Sequence, residues 1–443
     1  MSLFSTLNVG ASGLGAASVG LGIAGDNIAN IGTTGFKQTR ATFADFMPQD
    51  VFGLSGAGRM GTGVATNRVS TMFGQGTLDA SDSALDMAIS GNGFFVVDSP
   101  TQSYYTRNGE FYMDKEGFVT TSSGLRLQGY QATDGALNPM ISDLRVNTAT
   151  LPGQASSEIT LSAVLSADTE PGTDLAVLDF FGTGAGTNTI AEAADAADFT
   201  TSMTVYDSLG VGHDVTVCFE RASAGGWNWR ALTDASETFD AAGAAYSPTE
   251  GDGFEIAAGT LAFDTDGNLT AVTQTDTGAW TFRGATAQTI NMDFGLDTLG
   301  TVTDGALRMS GNVSAVTSAL QDGMGTGELA GLSVSDDGTI TGSYTNGEEL
   351  TLGQVALATF KADSGLVRQG GTLFAASVYS GEAALGAAGA GGRGALNGNA
   401  LERSNVEIED QFINMITSQR SYQANAKVVG AADEALQVLV NMI

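Results

Sequence analysis

The sequence predicts an α+β, multidomain protein. Helices at its two ends pair as a coiled coil, and two mainly-β domains lie between them, the outer one inserted in the inner one. Three observations lead there. Apolar residues recur at alternating steps of four and three at both ends of the chain. The stretch between them is strand-like and punctuated by a recurring turn. Its middle carries most of the excess acidic charge.

At the N-terminus, Leu3, Leu7, Gly10, Leu14, Ala17, Leu21, Ala24, Ile28 and Ile31 fall on one seam. Six interior glycines (Gly10, Gly13, Gly15, Gly20, Gly22, Gly25) weaken it, each costing ~1 kcal/mol relative to Ala. Such a helix needs a partner surface, so it is expected to be disordered in the monomer and to fold on assembly. The same glycines argue against a membrane span. The opening also lacks the basic start of a cleavable secretion leader. The seam is expected to stop at "NIANIGTTGFK", with Asn30 and Gly32 ending the helix and residues 33–72 forming a linker.

Strand residues bounded by turn formers follow in "GFFVVD" (93–98), "VTVCFE" (215–220), "GTLAFD" (259–264) and "GQVALATF" (353–360). The turns "DKEGFV" (114–119), "DTDGNL" (264–269) and "SDDGTI" (335–340) repeat one hairpin pattern: Asp or Ser, two residues, Gly, one residue, an apolar restart. Low-complexity breaks near 182–198 and 381–399 interrupt the strands, and the second reads as a flexible joint. Residues 147–325 hold 24 acids against four basic residues, a net −20 out of −31 for the chain. They read as a solvated outer acidic β domain inserted in an inner β-rich domain of residues 73–146 and 326–403. The terminal helical domain is residues 1–32 and 404–443.

The C-terminal helix is expected to open on "SNVE", a capping box with Ser404 as N-cap and Glu407 three residues on. Phe412, Met415, Gln419, Tyr422, Ala426, Val429, Asp433, Leu436, Val440 and Ile443 then repeat at three-four spacing, apolar except at Gln419 and Asp433. Acids cluster early, while Arg420 and Lys427 come later, as the helix dipole prefers. Two ordinary amphipathic helices packed on a globular core would give a similar pattern.

The charge excludes a generic nucleic-acid binder, which needs clustered Lys and Arg, and disfavours anionic membranes. Cys218 alternates with apolar residues as a buried strand residue does, and a single Cys permits no internal disulfide. His213, the single His, has no G-x-S-x-G elbow to serve. Zinc lacks its Cys and His clusters. The G-x-G-x-x-G matches at residues 56–61 and 389–394 lack a preceding strand and a following helix. "GTTGFK" lacks the spacer of a phosphate loop, and Asp264, Asp266 and Asn268 lack the spacing of a calcium loop. No catalytic residue, cofactor or metal ligand stands out, and the chain is read as no enzyme.

"ANIGTTGFK", through Ala29, Asn30, Thr33, Gly35, Phe36 and Lys37, matches a signature of the bacterial flagellar rod and hook axial proteins. "SGNGFFVVD" (90–98), "YTRNGEFYMDKEGFVTTSSGLRLQGY" (105–130) and "LERSNVEIEDQFINMITSQRSYQANAKVV" (401–429) resemble that family's further blocks. The last contains Ser404, Asn405, Arg420, Gln423 and Asn425. Length and the large middle bring the chain closest to the hook branch. The resemblance implies a structural subunit that self-assembles into a hollow, flexible helical tube, a universal joint passing motor torque to the filament. It implies export by the flagellar type III apparatus to an extracellular position. The implied partners are further copies, the rod, the hook cap, the hook–filament junction proteins and that apparatus, with no nucleic acid and no membrane insertion. Phe36 is expected to anchor packing and Lys37 to pair with an acid on a neighbouring subunit. A distal rod subunit is the nearby alternative. A secreted carbohydrate-active enzyme or a calcium-dependent surface-layer protein is the alternative from a different class.

Overall fold

The computed structural model describes residues 3–53, 56–133, 135–147, 150–182, 186, 188–223, 225–240, 248–276, 279–296, 306–311 and 313–441. Side chains of residues 3, 49–53, 56–60, 239, 240, 276 and 439–441 are outside this description. The described chain is mostly β, with three α-helices, Leu3–Ala29, Ile190–Ala196 and Ile408–Asn441. It forms two compact units. One comprises Met1–Thr148, Ala330–Ser343 and Glu349–Ile443; the other comprises Ala149–Leu329 with Tyr344–Glu348.

The first unit is built on a twelve-stranded sheet whose centre runs Thr339–Tyr344, Glu349–Thr359, Arg126–Thr133, Phe94–Ser99, Gln102–Thr106. Phe94, Phe95, Val96 and Val97 are all buried because both faces of this sheet are covered. That double burial is why "GFFVVD" reads as a continuous apolar run instead of alternating. On one face Phe94, Val96, Tyr105, Ala358 and Phe374 pack with Phe73. The Phe73 ring meets those of Phe94 and Phe374 edge-on at 5.2 and 5.1 Å.

The second unit holds a five-stranded antiparallel meander from Phe199–Tyr206 to Leu269–Asp276, and a four-stranded sheet around Glu158–Ser166. Trp227, Trp229 and Ala231 alternate onto one face, against Phe219, Phe254, Phe294 and Leu161. The opposite face carries Cys218 and Leu232 under the short helix Ile190–Ala196. Thr189 caps that helix reciprocally with Glu192, so part of the low-complexity break at 182–198 encodes a helix start. Cys218 is fully buried and burial pushes its thiol up to about 11. His213 stacks on Phe282 at 3.6 Å and bonds Glu237 at 2.6 Å, a satisfied structural position.

Two of the three repeated turns share one device. Asp114 Oδ1 accepts from the Glu116 and Phe118 amides, and Asp264 Oδ1 from those of Asp266 and Asn268. These bonds close the hairpins over Gly117 and Gly267, whose φ values are 86° and 81°.

Two expectations need correction here. Residues 33–72 are no plain linker: Thr39–Asp45 pairs antiparallel with Val64–Thr71, and Gln49–Gly53 with Gly56–Met60. Nor is 381–399 a flexible joint. Ala384–Ala387 joins Glu349–Thr359, and Ala395–Gly398 joins Met87–Ser90. Its glycines permit close approach: a Cβ on Gly394 would lie 2.3 Å from the Ser90 carbonyl oxygen.

Candidate assembly site at the paired termini

The Leu3–Ala29 and Ile408–Asn441 helices lie antiparallel in the first unit. A Cβ on Gly10 would meet Val429 Cγ2 at 2.7 Å, one on Gly13 would meet the Asn425 side chain at 2.7 Å, and one on Gly20 would meet Ser418 Oγ at 2.8 Å. Near the end of the contact Asn27 Nδ2 donates to Gln411 Oε1 at 3.0 Å. The seam of the first helix is therefore a heptad of small residues, Gly10, Ala17 and Ala24, all buried, flanked by half-buried Leu7, Leu14, Leu21 and Ile28. At three of the six glycines an added methyl would displace the facing Val429, Asn425 or Ser418 side chain. The other three, Gly15, Gly22 and Gly25, would meet nothing within 4 Å. In the single chain this helix is formed and paired. By length and composition Phe4–Ala29 could also cross a membrane.

On the C-terminal helix the seam is displaced by one residue at alternate positions. Met415, Val429 and Leu436 are half-buried as expected, and Tyr422 is 43% exposed. Phe412, Gln419, Ala426 and Asp433 are exposed, and Gln411, Ser418, Asn425 and Ala432 take their places. Apolarity marked Phe412 and Ala426, but helices this close join through small and polar side chains. Arg420 and Gln423 are exposed on the helix. Leu3, Val440 and Ile443 lie outside the described side chains.

The expected capping box is absent: the helix begins at Ile408, four residues beyond Ser404. Residues 404–407 are drawn into tertiary contacts instead. Asn405 Oδ1 accepts from the Gln38 amide at 2.7 Å, and its Nδ2 donates to the Met72 and Gly74 carbonyls. Val406 is buried. At the other helix end Asn30 Nδ2 donates to the Asp26 carbonyl at 2.9 Å, and Thr33 N donates to the Asn30 carbonyl. Gly32 has no left-handed backbone; Gly35 does, with φ 69°, and its amide donates to the Glu402 carbonyl at 2.7 Å. A Cβ there would lie 2.4 Å from the Asn108 amide nitrogen, so this position requires Gly twice over.

Lys37 corrects the expectation of an intersubunit pair. Its side chain is fully buried, and Nζ lies 2.6 Å from Glu402 Oε1 and 2.8 Å from the Gly74 carbonyl oxygen. Glu402 Oε1 also accepts from the Gly76 amide, and Arg107 Nη1 stands 3.5 Å from its other oxygen. Burial pulls the Lys37 and Arg107 basic groups below their ordinary values, against the opposing pull of Glu402. Beside them Phe36 is buried, with the Arg368 guanidinium 5.0 Å over its ring. Arg368 also reaches Thr39 Oγ1 at 2.9 Å. This lock joins both helix ends to the sheet. Glu402, Arg107, Asn27 and Gln411 were missed in the sequence, since a partner 365 residues away leaves no local trace.

These contacts join the two helix ends to the strands between them. Residues 7–37 match the flagella basal body rod protein family, and 88–164 match the flagellar hook protein FlgE/F/G D1 domain. Residues 178–324 match the flagellar basal body protein FlaE D2 domain, and 397–442 the flagellar basal body rod FlgEFG protein C-terminal family. The chain is 34% identical to flagellar hook protein FlgE of Salmonella typhimurium over 442 residues, 97% of this chain and 98% of that one. The chain belongs to the flagellar hook protein family. It is also 33% identical to the Escherichia coli hook protein FlgE over 436 residues, covering 97% and 98% of the two chains. Among solved structures it is similar to Helicobacter pylori flagellar hook protein FlgE2, at 13% identity and a TM-score of 0.47, covering 73% of this chain and 100% of that one. Membership makes this a structural subunit of the flagellar hook.

Proposed function

We propose that this hook-family chain polymerises into a hollow, flexible tube that acts as a universal joint, passing motor torque to the filament. Export by the flagellar type III apparatus would deliver it outside the cell, where it meets the rod, the hook cap and the junction proteins. In this reading residues 1–32 and 404–443 line the tube, residues 73–146 and 326–403 form an inner β layer, and 147–325 face outward. Subunits add through heterologous contacts that do not close.

One observation carries the reading. The N-terminal helix has two small-residue faces, and the single chain fills only one. Phe4, Asn8, Ala11, Gly15, Ser18, Gly22, Gly25 and Ala29 repeat at four-three spacing and are all exposed. On the other helix Phe412, Ile413 and Ile416 are 48%, 62% and 49% exposed. So much apolar helix surface suits further copies of the pair. Within the pair we assign Met415, Tyr422, Val429 and Leu436 to the seam, and Phe412 and Ala426 to the outward, copy-facing side. The test is Leu436→Asp, which should abolish sedimenting polymer. Trp227, Trp229 and Trp280, all buried in the second unit, should keep their native fluorescence. Tubes formed by that variant would refute the seam's role in assembly.

A further inference from the structure

Val378 and Tyr379 stand 97% and 86% exposed at the tip of a loop in the first unit, yet the backbone beneath them is fixed. Ser380 is fully buried, and its Oγ donates to the Ser377 carbonyl at 2.9 Å. Ser377 Oγ donates to the Gly365 carbonyl at 2.6 Å. Gly365 lies so close that a Cβ there would sit 2.4 Å from the Ser380 amide nitrogen. Two large apolar side chains on a pinned backbone do nothing for the stability of the single chain. They are a pre-ordered anchor of the kind that binds with little ordering cost.

The same unit carries a groove of about 440 Å³ between the helix pair and the 39–71 hairpin. Ile23, Phe43 and Met72 supply apolar walls, and Arg40, Asp410 and Asn414 supply polar groups. A Tyr side chain asks for that combination, apolar contact for the ring and a polar partner for the hydroxyl. We propose that the Val378–Tyr379 tip of one copy seats in this groove of a second copy, an inference that rests on the self-assembly proposed above. Tip and groove are different surfaces of one unit, so the contact is heterologous and propagates instead of closing a pair.

The test is cysteine cross-linking in the full chain, carrying Tyr379→Cys together with Phe43→Cys. The native Cys218 is fully buried and stays silent. Oxidation of assembled protein should give a ladder of covalent multimers from the double variant and not from either single one. Tubes without that ladder overturn the contact and leave assembly standing, whereas wild-type protein that forms no tubes overturns both. Should the cysteine pair fail to assemble, the critical concentration decides. Tyr379→Phe, which loses only the hydroxyl's partner, should raise it a few-fold and Tyr379→Ser at least about tenfold; equal values overturn the proposal.

Discussion

Replacing one glycine at a time in the N-terminal helix separates packing from propensity. In Gly15→Ala the new methyl meets nothing within 4 Å, so the single chain should gain the helix propensity of Ala, about 1 kcal/mol. In Gly10→Ala the same gain applies, but the methyl would sit 2.7 Å from Val429 Cγ2. A β-branched residue in a helix has little rotamer freedom to yield, and overpacking of this kind costs about 1–3 kcal/mol. The net effect should run from neutral to about 2 kcal/mol destabilising. The two variants should therefore differ by about 1–3 kcal/mol. Val429→Ala removes the colliding methyl and should rescue Gly10→Ala, giving a coupling of about 1 kcal/mol or more in a double-mutant cycle. Hydrogen exchange of the 3–29 amides in unassembled protein measures this directly. Equal protection in Gly10→Ala and Gly15→Ala, or no rescue by Val429→Ala, would refute the close-packed seam.

Other consequences follow from the buried groups. Glu402→Gln should destabilise the first unit by about 3–5 kcal/mol, since it leaves the Lys37 and Arg107 charges buried without their partner. Lys37→Met with Glu402→Met should cost less, and a denaturant melt followed by hydrogen exchange at Ala400–Glu402, the strand paired with Leu78–Ala80, reads both. The Cys218 thiol is held at about 11 against an ordinary 9.0. A folded-state value raised in this way favours the folded chain fully below pH 9, and that contribution, about 3 kcal/mol, is lost as pH rises from 9 through 11. Replacing Cys218 with Ala should abolish that part of the stability–pH slope, and thiol reagents should label the native protein at pH 8 only as it unfolds. Gly35→Ala combines an unfavourable left-handed φ with a backbone collision. It should loosen both helix ends, seen as lost exchange protection at the Gly35 and Phe36 amides.

Local chemistry made much of this legible. The hairpins over Gly117 and Gly267 are encoded in adjacent residues, because an Asp side chain bonds amides two and four positions ahead. The central strand at 94–99 was equally plain, since burial on both faces leaves an unbroken apolar run. Close packing was not legible. Periodicity rewards apolar residues, so it chose Phe412 and Ala426 over Gln411 and Asn425, although helices separated only by glycine meet through the smaller, polar side chains. Composition also misled at 381–399, where glycines serve close approach between strands. Lys37 looked free for a neighbour because Glu402 and Arg107 are remote in sequence.

The central claim is that the helix faces left open in one chain are closed by further copies. Electron microscopy of concentrated full-length protein, with and without a metal chelator, tests it most directly. Hollow tubes that survive chelation are the expected result. Dispersed monomers, or sheets that dissolve with chelator, would contradict it.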